Sequence, residues 1–375
     1  PDGRSAMTDI LVVGAGLLGA SVAHRLAERG AQVTILESGR PGGGTSGASF
    51  AWVNAQDKTP AAYFELNRDG LRAHRALVAE LGGDWFHAGG DLAIGRSDGA
   101  ATLGARIERH RALDYPVERL DRAGIERLEP VLDLGDADDI VGAHYLDEGW
   151  IDVPHLIDGL LAAAQSSGAV LIRDEVAAVE RDGDRAIGIR TADGTLRRGD
   201  RVVLAAGPAT QGLAATVGVT LPMAPSPGLL VRVSPVAATV GRVIHGGDVA
   251  LRPDGDGRLL LTSRGVDASL DPELRHIALD DPAVTQIIAR AARLIPDLHA
   301  GAPVFDARIG IRSVAVDGMP AVGPAPGLDA LYLLVSHSGA TLAPVLGGLV
   351  AQELVDGPQA RLEPYRVDRF TAVEA

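Results

Sequence analysis

The residues whose types and spacing could do chemistry begin with three glycines. Gly14-Ala15-Gly16-Leu17-Leu18-Gly19 is a G-x-G-x-x-G run, and the apolar segment from Gln32 to Leu36 ends on an acid, Glu37. In such a run Gly14 permits a tight turn and Gly16 admits the backbone N–H groups around Leu17 and Leu18 to a pyrophosphate. Gly19 lets the following helix pack closely on the strand. A helix starting there turns the positive end of its dipole toward the anion. Glu37 is placed to accept both hydroxyls of an adenosine ribose and to repel a 2′-phosphate. The implied chemistry is retention of a cofactor that contains ADP. FAD and NAD both contain it, and this motif does not separate them.

Directly after Glu37 comes a loop, Ser38-Gly39-Arg40-Pro41-Gly42-Gly43-Gly44-Thr45-Ser46-Gly47-Ala48-Ser49. Ser38, Arg40, Thr45, Ser46 and Ser49, with the backbone at Ala48, offer donors for a second wrap around phosphate and sugar oxygens. The composition also suits a flexible linker, but a linker is not expected directly after a ribose acid. The next segment, Phe50 to Pro60, holds Trp52 and Lys58, the only lysine of the chain. Lys58 reads as a solvated loop cation or as the partner of an anion. Near the other end, Ser336-His337-Ser338-Gly339-Ala340-Thr341 joins an apolar strand to a long helix. A small-residue turn of this kind presents free N–H groups and a positive dipole. Pro344 fits the first turn of that helix. His337 reads equally as a structural histidine or a site residue.

The elements that must position these residues follow from periodicity. Apolar runs at 10–13 and 32–36 read as strands, with a helix over 20–29 between them. An amphipathic helix over 60–81 carries Leu66, Leu71, Leu77, Val78 and Leu81 on one face. A strand is expected over 85–94, helices over 100–114, 122–128 and 154–167, and strands near 169–180, 186–191 and 201–206. Short strands at 229–233, 243–251 and 258–262, separated by turns, are the punctuation of an antiparallel sheet. A helix over 282–294, a strand over 331–335 and a helix through Leu354 close the chain. His245 and Arg264 read as ordinary strand and turn residues. The expected fold class is α/β (α+β), a Rossmann-like cofactor domain with a discontinuous substrate domain built on an antiparallel sheet. The cofactor domain takes 7–85, 148–217 and 310–370, and the substrate domain takes 86–147 and 218–309.

Composition bounds the rest. The 375 residues carry a net charge of −14, which disfavours nucleic acid and anionic membrane as partners. No apolar run reaches transmembrane length and no signal peptide is evident, so a cytoplasmic location is expected. Residues 1–6 read as an extraneous tail before Met7. Cysteine is absent, which excludes disulfides, iron–sulfur ligation and a cysteinyl-flavin bond. The ten histidines are scattered, without metal-ligand spacing, so no metal is expected.

The glycine run, the ribose acid and Gly44-Thr45-Ser46-Gly47-Ala48-Ser49 together resemble the FAD-dependent D-amino acid oxidase and glycine/sarcosine oxidase superfamily. Asp147-Glu148-Gly149-Trp150-Ile151-Asp152-Val153-Pro154 resembles its D-G-x-x-D-P turn, with Val153 inserted. Asp174-Glu175-Val176 resembles the strand whose valine touches adenine, and Val202 to Gly207, with Ala206, the turn beneath the cofactor. Arg308-Ile309-Gly310-Ile311-Arg312, followed by Asp317-Gly318-Met319-Pro320, resembles the G-x-R-P and D-G-x-P region, with Ser313 where proline is usual. The resemblance implies non-covalent FAD and oxidation of the C–N bond of an amino acid or secondary amine. Hydride passes to flavin N5, the imine is hydrolysed, and the electrons go to dioxygen or another acceptor. It places a substrate carboxylate on Arg312, with Lys58 and His337 as further site residues. It also turns the helix start at Ser338, Gly339, Ala340 and Thr341 toward the flavin pyrimidine edge. The alternatives are an NAD-dependent dehydrogenase and a flavin subunit of a hetero-oligomeric amine dehydrogenase, inactive alone. The oligomeric state is left open.

Overall fold

The computed structural model describes residues 8–373 apart from 225, 235, 236, 238, 301 and 302. The expected tail at 1–6 and Met7 lie outside the described residues. Asp9–Val13, Gln32–Glu37, Val170–Arg173, Arg201–Leu204 and Leu331–Val335 form a parallel sheet, extended at one edge by the antiparallel Ala321–Pro324. Strands covered on both faces read as unbroken apolar runs, and all five residues of Leu331–Val335 are buried. Helices Leu17–Glu28, Val153–Ser166 and Gly339–Asp356 share one core with this sheet. The other face is closed by the antiparallel strands Val176–Asp182, Arg185–Thr191 and Leu196–Arg198 and the helix Thr210–Ala215. Because the strands are parallel, those ending at Val13, Glu37, Leu204 and Val335 deliver their following loops to one edge. Ligands of open α/β sheets bind at such an edge.

An eight-stranded sheet stands beside it, in the order Val304–Arg312, Ser226–Val233, Leu259–Ser263, Val249–Pro253, Val243–Gly246, Asp91–Arg96, Ile140–Tyr145, Val117–Leu120. The Val304–Arg312 strand is paired to Ser226–Val233 along its length and continues past the expected boundary at 310. Its end joins the glycine loop, where the Thr45 hydroxyl donates to the Ile311 carbonyl at 2.6 Å.

Four local expectations differ from the structure. The strand over 85–94 is two strands, Phe86–His87 and Asp91–Arg96. The break falls at Gly90, whose φ of 84° favours glycine. The run over 169–180 divides at Asp174, whose N–H turns to the Glu37 carbonyl at 2.9 Å, so its halves join different sheets. The run over 243–251 is a hairpin of Val243–Gly246 and Val249–Pro253. Pro344 lies in the second turn of Gly339–Asp356 rather than the first. Proline there cannot donate to the Ala340 carbonyl, and His74 of the helix Ala61–Leu81 fills the gap with Nε2 at 2.7 Å. Burial holds the His74 pKa down to about 4, so the ring is neutral and its proton sits on the nitrogen facing the carbonyl.

Candidate active site

The loops at the carboxyl edge enclose a cavity of about 560 Å³, within the range of small-molecule sites. Gly14, with φ of 100°, makes the turn out of the first strand, and a methyl there would lie 2.6 Å from the Ala205 carbonyl oxygen. Gly19 is not on the cavity wall, because it packs under the turn, where a methyl would overlap the Gly14 carbonyl. No side chain caps Leu17–Glu28. Gly16, Leu17 and Leu18 at its start line the cavity, and the Leu17 N–H meets the Ser46 hydroxyl at 3.1 Å. Glu37 is held by two backbone donors, Ala15 N–H and Gly39 N–H, each at 2.9 Å, one on each oxygen.

Ser38, Arg40, Thr45, Ser46, Ser49, Val176, Ala206, Gly207, His337, Gly339 and Ala340 also line this cavity. Ala48 does not, because it packs on Gly310, which has no side chain to hold it off. Ser338 and Thr341 are buried just behind the wall. Ser338 Oγ joins the Tyr63 hydroxyl at 2.7 Å and His337 Nδ1 at 3.0 Å, while Thr341 Oγ1 accepts the Asn54 N–H at 3.1 Å. No side chain caps Gly339–Asp356 either. The cavity therefore has the uncapped start of one helix at the Glu37 side and that of a second at the His337 side. A long anion-bearing cofactor with an electron-accepting ring fits this layout, and the close glycine contacts leave the backbone open to it.

The three expected catalytic residues come together beyond the His337 end. Burial lowers the His337 pKa to about 4, and the charges of Lys58 and Arg312 add to the shift. The ring lines the cavity and is exposed toward it. Lys58 Nζ lies 5.8 Å from the Tyr63 ring centroid. Burial pulls its pKa below the usual lysine value, against the charge of Glu148 and with that of Arg264. Arg312 is already engaged, with an ion pair to the buried Asp267 and a hydrogen bond to the Pro227 carbonyl at 3.1 Å.

Sequence reading missed a buried polar network behind Trp52. Gln56 Nε2 donates to Asp91 and to Glu148, both at 2.9 Å. Trp52 Nε1 and the Tyr115 hydroxyl also donate to Glu148, at 2.9 and 2.5 Å. His245 Nδ1 meets Asp91 at 2.6 Å, and its ring lies 4.4 Å from that of Trp52. Burial and the Asp91 charge push the Glu148 carboxyl well above the ordinary carboxylate range. His245, read as an ordinary strand residue, is thus the partner of a buried acid. Nothing in the spacing of Gln56, Asp91, Glu148 and His245 along the sequence announces the network. Among the described residues one metal-like group occurs, His24, Glu28 and Glu80, and Arg25 already pairs with both acids at 2.8 and 2.6 Å.

Comparison with known proteins agrees with this geometry. The family model "FAD dependent oxidoreductase" (DAO) matches residues 9–353. A glycine oxidase of Pseudomonas aeruginosa is 30% identical, over 95% of this chain and 96% of its own length. The crystal structure of glycine oxidase from Geobacillus kaustophilus superposes with a TM-score of 0.85 at 26% identity, covering 97% of this chain and 99% of that one. Iminodiacetate oxidase from Chelativorans sp. BNC1 superposes with a TM-score of 0.82 at 26% identity, covering 95% and 98%. These relatives do not favour the NAD-dependent or inactive-subunit alternatives. The chain belongs to the FAD-dependent oxidoreductase family, and its nucleotide is FAD.

Proposed function

We propose that this enzyme oxidises the C–N bond of an amino acid or secondary amine, with the roles given below. The observation that carries the reading is the pair of uncapped helix starts facing one cavity, with Lys58, His337 and Arg312 beyond its inner end. FAD, bound without a covalent link, supplies the hydride acceptor. Gly14, Gly16, Leu17, Leu18, Thr45, Ser46 and Ser49 hold its diphosphate side, Glu37 holds the ribose, and Val176 backs the adenine. The N–H groups at Gly339 and Ala340 stabilise negative charge at the ring's pyrimidine edge.

The substrate side follows from charge. Arg312 keeps N–H donors free after meeting Asp267 and Pro227, and a flat guanidinium orients a carboxylate by two parallel bonds. Lys58 adds a half-buried cation, and His337, neutral near pH 7, contributes a hydrogen bond rather than a charge. The proposed substrate is a small amine or amino acid.

Purified protein is expected to be yellow, with its flavin bleached anaerobically by members of a panel of glycine, sarcosine, D-amino acids and cyclic amines. Arg312→Ala is expected to raise KM for carboxylate substrates about tenfold or more, as loss of a hydrogen bond to a charged group does. Protein that neither contains nor takes up flavin would end the reading, and an unchanged KM would remove Arg312 from it.

A further inference from the structure

His337 meets the cavity with one ring nitrogen and is tied behind the wall by the other. Its Nδ1 lies 3.0 Å from Ser338 Oγ, which in turn lies 2.7 Å from the Tyr63 hydroxyl. Nε2 has no partner among the described residues and is not enclosed, and the residue lines the cavity. Ser338 has a single hydroxyl proton and two neighbours, so it donates to only one of them.

Tyr63 decides which. Burial keeps its phenol protonated, and a buried hydroxyl proton needs an acceptor. Among the described residues Ser338 Oγ is the sole hydrogen-bond partner of the Tyr63 hydroxyl. Asn67, one turn along the same helix, does not take the proton. Its Nδ2 donates to the Tyr63 carbonyl at 2.8 Å, and its Oδ1 is buried without a partner. Tyr63 therefore donates to Ser338, and Ser338 donates to His337 Nδ1. Lys58 and Arg312 oppose protonation of the imidazole, so the neutral ring carries one hydrogen, and Nδ1 is taken as an acceptor.

We infer that Tyr63 is a positioning residue: through Ser338 it fixes the Nε2–H form of His337, so that the cavity is offered a hydrogen-bond donor there rather than a lone pair. The consequence for the reaction rests on the reading above that the flavin ring lies at the His337 end. There the N–H joins those at Gly339 and Ala340 in favouring the negative charge that the ring gains on reduction. An unrestrained imidazole populates both neutral forms, and the other form would turn a lone pair toward that charge.

The test has two readouts on the FAD-loaded protein, heteronuclear NMR of the imidazole nitrogens and the midpoint potential of the bound flavin. The signals lost in His337→Leu identify the ring, and they are expected to show hydrogen on Nε2 and a bare Nδ1. In Tyr63→Phe, which keeps the aromatic ring and removes the hydroxyl, hydrogen is expected to move in part to Nδ1, with flavin absorbance reporting that the variant is folded. The potential is expected to fall by about 30 mV or more in His337→Leu, the equivalent of a tenfold loss of preference for the reduced form, and by part of that in Tyr63→Phe. His337→Gln, whose amide carries its own N–H, is expected to restore the potential and to make it insensitive to Tyr63→Phe. Hydrogen on Nδ1 in the parent, or a tautomer unmoved by Tyr63→Phe, overturns the inference, and a potential still lowered by His337→Leu then leaves the flavin placement standing. The expected tautomer together with a potential unmoved by His337→Leu upholds the relay and overturns the placement of the ring at that end.

Discussion

Glu37 accepts one backbone N–H on each carboxylate oxygen, and its remaining lone pairs are the ones available to a ribose. Glu37→Gln offers one accepting oxygen where two are used, so either Ala15 or Gly39 loses its partner. FAD affinity is expected to fall about tenfold or more, since bonds to a charged group contribute about 1.5–3 kcal/mol. Fluorescence titration of apoprotein with FAD measures it, and an unchanged Kd would mean that the acid is not at the ribose. Gly14, Gly16 and Glu37 were legible because their work is local: a turn, a close backbone approach, a strand end. The bond between Arg312 and Asp267 joins residues 45 apart and that between Gln56 and Glu148 residues 92 apart. No spacing rule announces such pairs, nor the Asp91 partner of His245, because the partners come from separate elements of the chain.

The element on which the inner end of the cavity depends is the helix Gly339–Asp356, and its first turns rest on His74. Pro344 removes the donor that Ala340 would have had, and the neutral His74 ring replaces it across two helices. His74→Phe leaves a buried carbonyl unpaired, at a cost of about 1–3 kcal/mol. Pro344→Ala restores a helical donor to that carbonyl. In thermal melts the double variant His74→Phe/Pro344→Ala is therefore expected to be more stable than His74→Phe alone. A strictly additive pair would show that the histidine does not serve that carbonyl. The sequence placed Pro344 one turn too early because a proline in a helix interior is unfavourable taken alone. The donor that makes it tolerable lies 266 residues away in the chain.

At the scale of the whole molecule, His74 and His337 have folded pKa values of about 4, below the usual histidine value of about 6.5. Between these values the unfolded chain binds protons that the folded chain does not, so stability rises with pH there and is lost as pH falls. Glu148, shifted upward, has the opposite slope above the ordinary glutamate range. The fully buried His74 is expected to dominate, because His337 opens to the cavity. Denaturant unfolding at pH 7 and pH 5 is expected to show a smaller loss of stability in His74→Phe/Pro344→Ala than in the parent, by up to about 1.4 kcal/mol per pH unit. Equal losses would assign the acid sensitivity elsewhere. The two largest sheets were legible from apolar runs and turn residues, whereas the splits at Gly90 and Asp174 were not, because pairing partners rather than composition decide them. Lys58 has one consequence for handling the protein. Within these 375 residues it carries the sole ε-amino group, and its lowered pKa leaves it a better nucleophile than an ordinary surface lysine. Acylating dyes and amine-coupling resins will thus find, besides the amino terminus, Lys58 alone.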